Sequence, residues 1–92
     1  GGGGDGRVAP PEADFLVIPP QRPGNVRSQD IVVRVLVDTR GEVRDVELIP
    51  STGNRGYDDR LRRMAREWRF RPAREVGTNR AVEARTDVTV TI

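Results

Sequence analysis

The sequence contains no histidine, no cysteine and no lysine. These absences exclude a serine–histidine–aspartate triad, a cysteine nucleophile, a Schiff-base lysine and a P-loop lysine. Metal sites built from thiolate or imidazole are excluded too, as is any disulfide framework. The composition therefore argues against an enzyme, and neither a cofactor nor a metal is expected.

Aromatic residues and long apolar runs are scarce. The chain holds one tryptophan, one tyrosine and two phenylalanines among its 92 residues. No apolar run approaches the roughly 20 residues that a bilayer-spanning helix needs, so no membrane span is predicted. A chain of this length forms one domain at most, and it buries only about 60 to 65% of the surface that its unfolded form exposes. The core must be thin.

Every basic residue is arginine: sixteen arginines face 14 acidic residues, for a formal net charge of +2. Guanidinium groups favour bidentate contact with carboxylate or phosphate. Seven of these arginines lie between Arg60 and Arg74, where the only acidic residue is Glu67. An acidic partner is permitted, although the small net charge does not require one.

Residues 1–14, GGGGDGRVAPPEAD, are rich in glycine and proline and have almost nothing to bury. They are interpreted as a flexible linker without a fold, and residues 15–92 as the folded domain. Within that domain Phe15 to Ile18 is apolar enough to form a strand or to lie across the core. The prolines that follow, at positions 19, 20 and 23, exclude a helix there.

Two adjacent strands are predicted next. In residues 31–37 every odd position is apolar and so are Val32 and Leu36. This pattern indicates a strand packed mainly on one face and partly covered on the other, as a central strand would be. Gly41 suits the positive φ of a short hairpin turn. Residues 43–49 break the alternation, and a β-bulge near Arg44 or Asp45 would reconcile them.

A helix follows the second strand. Its apolar residues recur on one stripe: Tyr57, Leu61, Met64, Ala65 and Trp68. Asp58 and Asp59 stand in its first turn, four residues before Arg62 and Arg63, so i,i+4 pairs are expected. Adjacent helical carboxylates point about 100° apart, which argues against an acid/base pair.

In the stretch EWRFRPA, Trp68 and Phe70 could either form a binding site or belong to the hydrophobic core. Pro72 disfavours the α conformation at Arg71, so the helix should end near Arg69. Phe70 can then fold back under the core beside Trp68. The two rings are interpreted as buried scaffold.

Residues 82–92 alternate between apolar and polar and predict a strand with one wet face. Because the helix carries the chain back across the sheet, this strand should pair with the first one, giving the order 2-1-3. The expected fold is α+β, a β-β-α-β arrangement of a three-stranded antiparallel sheet with one amphipathic helix on one face. The last strand becomes an open edge. The alternative is that Phe15 to Ile18 pairs with it.

Three short motifs, in their order along the chain, resemble the C-terminal domain of TonB, the periplasmic energy transducer of Gram-negative bacteria. The resemblance rests on V-D-x-x-G-x-V at 37–43, S-T-G at 51–53 and W-R-F-x-P-A at 68–73, and it spans residues 31–92. Before the first strand the family usually has Tyr-Pro and a short helix, whereas this chain has FLVIPPQRP, so contacts made by that region are not carried over.

The resemblance implies a periplasmic module, tethered to the inner membrane if the full-length protein carries an anchor, that couples an inner-membrane motor complex to outer-membrane receptors. It also implies that an extended peptide from the receptor plug adds to the last strand by β-augmentation. The residues expected to form that edge are Arg85, Thr86, Asp87, Val88, Thr89, Val90 and Thr91.

A second hypothesis is that the arginines of the helix bind a polyanion. Peptidoglycan, a lipid headgroup or nucleic acid could bind a cationic face made of Arg62, Arg63, Arg66 and Arg69. No aromatic residue is left over for base stacking and no nucleic-acid motif accompanies the arginines, which argues against nucleic acid. The alternative to such a site is a solvated helix face.

Overall fold

The computed structural model describes residues 7–92. Within this range the single helix lies between the fourth and fifth strands. In chain order the elements are β1 (Val8–Ala9), β2 (Glu12–Phe15), β3 (Asp30–Val37), β4 (Val43–Ile49), α1 (Arg55–Arg66), β5 (Arg69–Arg71), β6 (Ala73–Glu75), β7 (Ala81–Val82) and β8 (Ala84–Thr91).

The main sheet has the strand order β4-β3-β8, with both neighbours antiparallel to β3. This is the predicted 2-1-3 order. The odd residues of β3 are fully buried, and its even residues Val32, Arg34 and Leu36 are half-buried, as befits a central strand. Helix α1 packs on the face that carries the buried row. The α+β class and the antiparallel pairing of the sheet are thus confirmed.

The expected bulge in β4 is also present. Leu36 pairs with Asp45 but the next residue, Val37, pairs with Val43, so Arg44 is the extra residue. The shift places Val43 on the same buried face as Val46, although the two lie an odd number of positions apart.

Helix α1 begins after the N-cap Asn54, whose side-chain oxygen accepts a hydrogen bond from the backbone N–H of Tyr57 at 3.0 Å. All five residues of the predicted stripe are buried. The helix ends at Arg66, three residues earlier than expected, because the chain must leave it before Trp68 in order to bring Phe70 back to the core. Both rings are buried, as predicted, and they meet edge to face with centroids 6.4 Å apart.

The expectation of a single sheet was wrong. Two further antiparallel sheets are present among residues 7–92, one in the order β1-β6-β7 and one of β2 with β5. These strands are two to four residues long and mostly exposed, so no apolar alternation marks them. They also split the predicted last strand at Glu83, since Ala81–Val82 pairs with β6 and Ala84–Thr91 with β3.

The expectation of an unstructured segment before Phe15 fails for residues 8–9 and 12–14, which form β1 and most of β2. Backbone pairing with the segment after the helix orders them, and side-chain burial contributes little, because all of these residues are exposed. Residues 1–6, the rest of the predicted linker, lie outside the described residues. Phe15 pairs with Arg69 of β5, so the alternative in which Phe15 to Ile18 pairs with the last strand is wrong.

The segment of residues 16–23, here called the strap, crosses the molecule beside α1. Two buried rings hold it by hydrogen bonds to its backbone: Trp68 Nε1 donates to the Val17 carbonyl at 3.0 Å, and the Tyr57 hydroxyl donates to the Pro20 carbonyl at 2.7 Å. Both rings are at most 2% exposed. The strap thereby closes one side of the core, with Val17 packed against it.

Candidate functional site

The candidate site is the outer edge of β8, the side of that strand which faces away from β3. Strand β8 has β3 as its only partner among the described residues. The Ile92 N–H donates to the Gln29 carbonyl at 3.0 Å, which makes the pair Asp30–Thr91 a non-hydrogen-bonded one. Since such pairs alternate along an antiparallel ladder, the residues whose N–H and C=O groups point to the outer edge are Arg85, Asp87, Thr89 and Thr91.

No described residue bonds these outward N–H and C=O groups. The edge therefore offers four donors and four acceptors over the length of one extended peptide. Such a row is a template for another strand. The strand carries no proline that would remove one of the donors.

Two side-chain rows flank the edge. The same four residues that present backbone groups outward have exposed side chains on the sheet face opposite α1, here called the open face. Thr86, Val88 and Val90 lie on the helix side, where they are half-buried, and both valines contact the core. A strand added to β8 would meet an apolar row on the helix side and a polar row on the open face.

The open-face row is already partly engaged. Arg34 of β3 donates two hydrogen bonds to Asp87, Nε to Oδ1 at 2.9 Å and a terminal nitrogen to Oδ2 at 3.1 Å. The Arg34 hydrogen bonds hold the pKa of Asp87 below its usual value. Arg85 comes only within 3.9 Å of Asp45. Of these two charged side chains, Arg85 is the freer to meet a ligand.

The carboxyl end of β8 is tied to the start of β3. Ser28 Oγ donates to the Ile92 carbonyl, and Thr91 Oγ1 donates to Asp30 Oδ1, both at 2.7 Å. These bonds use the β3 side of the strand end and leave its outer edge open. The edge is thus presented by a strand fixed along its whole length.

The four arginines of the second predicted site do not act as one set. Arg62 forms an ion pair with Asp59 at 3.1 Å, and Arg69 donates to the carbonyls of Arg66 and Trp68 at the end of the helix. Arg63 and Arg66 have exposed side chains and border a groove beside the strap. The structure therefore separates two helix-stabilising arginines from two that face solvent.

The expected i,i+4 pairs of the first helical turn are replaced by other contacts. Asp59 bonds Arg62 at i,i+3. Asp58 is 5% exposed and accepts hydrogen bonds from Ser51 Oγ at 2.6 Å and from Thr52 Oγ1 and N at 2.6 and 3.0 Å. Burial alone would raise the pKa of Asp58, but the hydrogen bonds from Ser51 and Thr52 together lower it below the usual value.

Sequence reasoning missed this buried cluster, in which Asp58 binds the Ser51–Thr52 corner. The Ser-Thr pair directly before a helix with an early aspartate was the available signal. The cluster joins the end of β4 to the start of α1. Its three hydrogen bonds make it a structural clamp between these two elements.

Among residues 7–92 no helix is both long and apolar enough to cross a bilayer. Comparison with curated proteins and with solved structures finds no match. A family model, described as Gram-negative bacterial TonB protein C-terminal, matches residues 26–91, which cover β3 through β8 together with the helix. By that match over more than two thirds of its length, the chain belongs to the TonB C-terminal family.

Proposed function

We propose that this domain binds an extended peptide from the plug of a TonB-dependent outer-membrane receptor along the outer edge of β8, and so couples inner-membrane energy to outer-membrane transport. The family consists of periplasmic, non-enzymatic interaction domains that contact outer-membrane receptors. The observation that supports the proposal is the row of outward backbone groups at residues 85, 87, 89 and 91.

Main-chain pairing would supply most of the affinity, because each added residue can form ladder hydrogen bonds whatever its side chain. Selectivity would come from the two flanking rows. Val88 and Val90 favour apolar residues at alternate positions of the peptide, and Arg85 favours a carboxylate on the open face. Asp87 contributes less, since Arg34 already occupies both of its oxygens.

The first test is a titration of the isotope-labelled domain with receptor plug peptides. The amide resonances of residues 85–91 should move, and the outward amides should gain protection from hydrogen exchange. If those amides stay still while shifts appear elsewhere, the proposal is wrong.

A proline substitution makes the test specific for the backbone. Thr89→Pro removes one outward N–H, and an edge strand tolerates proline where the missing donor faces solvent. We expect peptide binding to weaken about tenfold, from the lost hydrogen bond and the obstruction by the ring. Thr89→Ala keeps the N–H, so this matched control should bind within about twofold. Equal losses in the two variants would mean that the side chain, and not the backbone, is recognised.

A further inference from the structure

An open groove of about 600 Å³ runs between the strap and helix α1, and none of its lining residues belongs to β8. A second depression of about 410 Å³ adjoins it toward the start of the helix and shares Arg60 and Arg63 with it. The first groove is lined by Val17, Ile18, Pro20, Arg60, Arg63, Met64, Arg66 and Glu67. It combines an apolar wall with a cationic rim.

The cationic rim is not neutralised within the described part of the chain. The side chains of Arg60, Arg63 and Arg66 form no hydrogen bond or ion pair with another described residue, and the one carboxylate in the lining is Glu67. Three exposed guanidinium groups along one helix face attract an anion. Their planar donor geometry suits phosphate in particular.

Apolar side chains in the groove and just before it in the chain are exposed to solvent. Ile18 is 84% exposed, and Phe15 and Leu16, just before it, are 57% and 43% exposed. The expectation that no aromatic residue is left over for base stacking was wrong, since Phe15 is exposed. A nucleic acid or a glycan strand would still leave Leu16 and Ile18 in water. The ligand that uses both parts has an anionic head and a hydrocarbon body.

An extended acidic peptide fits the groove poorly. The strap carbonyls of Val17 and Pro20 are taken by the Trp68 and Tyr57 rings. The prolines of the strap have no N–H to offer. Two strap carbonyls and three strap positions without an N–H are thus unavailable for pairing with a peptide backbone, whereas an acyl chain needs no such partners.

We propose that this groove and the exposed residues before it dock the domain on the surface of a bilayer that contains anionic phospholipid. The arginines of the rim contact lipid phosphates, and Ile18 enters the interface between head groups and acyl chains. This surface shares no residue with the β8 edge, so the inference does not rest on peptide capture.

Cosedimentation with vesicles tests the proposal. The domain should bind vesicles of equal parts phosphatidylglycerol and phosphatidylcholine, and not vesicles of phosphatidylcholine alone. A double variant, Arg63→Gln with Arg66→Gln, should lose about 25-fold in binding, since each surface charge contributes about fivefold. The matched control, Arg27→Gln with Arg40→Gln, removes the same charge from two other exposed positions and should lose less than about threefold.

The apolar contact needs its own variant. Ile18→Ser leaves the charge unchanged, and at an 84% exposed position it leaves the fold intact; we expect about a fivefold loss of binding to the mixed vesicles. Failure to bind those vesicles would overturn the proposal. So would equal losses for the two double variants with no effect of Ile18→Ser, because attraction would then depend on net charge alone. Peptide titration of Ile18→Ser should match that of the parent protein, which separates this outcome from the proposal for β8.

Discussion

Replacing Asp58 by alanine is expected to lower the free energy of unfolding by about 3 kcal/mol. The carboxylate is 5% exposed and accepts three hydrogen bonds from Ser51 and Thr52. A bond to a charged group contributes about 1.5 to 3 kcal/mol. Ser51 is exposed and Thr52 half-buried, so water can reach these donors after truncation, and the sum is discounted to about two bonds at the lower end of that range.

The neighbouring aspartate supplies the control. Asp59 belongs to the same helical turn but is exposed, with an i,i+3 ion pair to Arg62. Asp59→Ala should therefore cost less than about 0.5 kcal/mol. The two variants remove the same charge from adjacent positions and differ mainly in burial and hydrogen bonding.

Urea denaturation followed by tryptophan fluorescence measures both effects. Trp68 is the only tryptophan and is fully buried, so its emission reports on unfolding directly. A loss below about 1 kcal/mol for Asp58→Ala, or equal losses for the two variants at unchanged denaturant slope, would refute the clamp.

The remaining predictions concern pH, a turn and the strap. The folded pKa of Asp58 lies below its unfolded value. The contribution of the ionised carboxylate to the free energy of unfolding is therefore complete above the unfolded pKa of about 3.9, and it is lost as pH falls through the folded pKa. In urea titrations, the difference in free energy of unfolding between the parent and Asp58→Asn should become smaller over that acidic range. Gly41→Ala should lower the free energy of unfolding by at least about 3 kcal/mol, because Gly41 has φ +84° and an added Cβ would lie 1.9 Å from the Phe70 carbonyl oxygen. The control Gly24→Ala places a Cβ with nothing within 4 Å, and it should be near neutral by the same assay. Tyr57→Phe removes the hydrogen bond to the Pro20 carbonyl and should lower the free energy of unfolding in urea by about 1 kcal/mol. Hydrogen exchange should also become faster at Val26, whose N–H donates to the Pro23 carbonyl at the end of the strap. Unchanged exchange and stability would contradict the anchoring role of Tyr57.

The main sheet and the helix could be predicted because their burial is periodic. The odd residues of β3, the stripe of α1 and the parity break at Arg44 each leave a pattern that has one structural solution. The order of the strands followed from the length of the helix. The edge position of β8 was therefore within reach of sequence reasoning.

The small sheets could not be predicted for the same physical reason. Val8–Ala9 and Ala81–Val82 are two residues long, and their order comes from backbone pairing with Ala73–Glu75. Backbone hydrogen bonds leave no mark on residue type. The Asp58 clamp and the groove beside α1 were missed likewise, because each depends on where the strap or the strand end returns in space, and spacing along the chain does not specify that.

At the outer edge of β8 the groups offered to a partner belong to the peptide unit itself, and nineteen of the twenty amino acids carry the same pair. Related chains could thus exchange nearly every residue at positions 85, 87, 89 and 91 and still present the same docking ladder. Substitutions at these positions would change the preference among partners, and only proline would remove a backbone N–H from the edge.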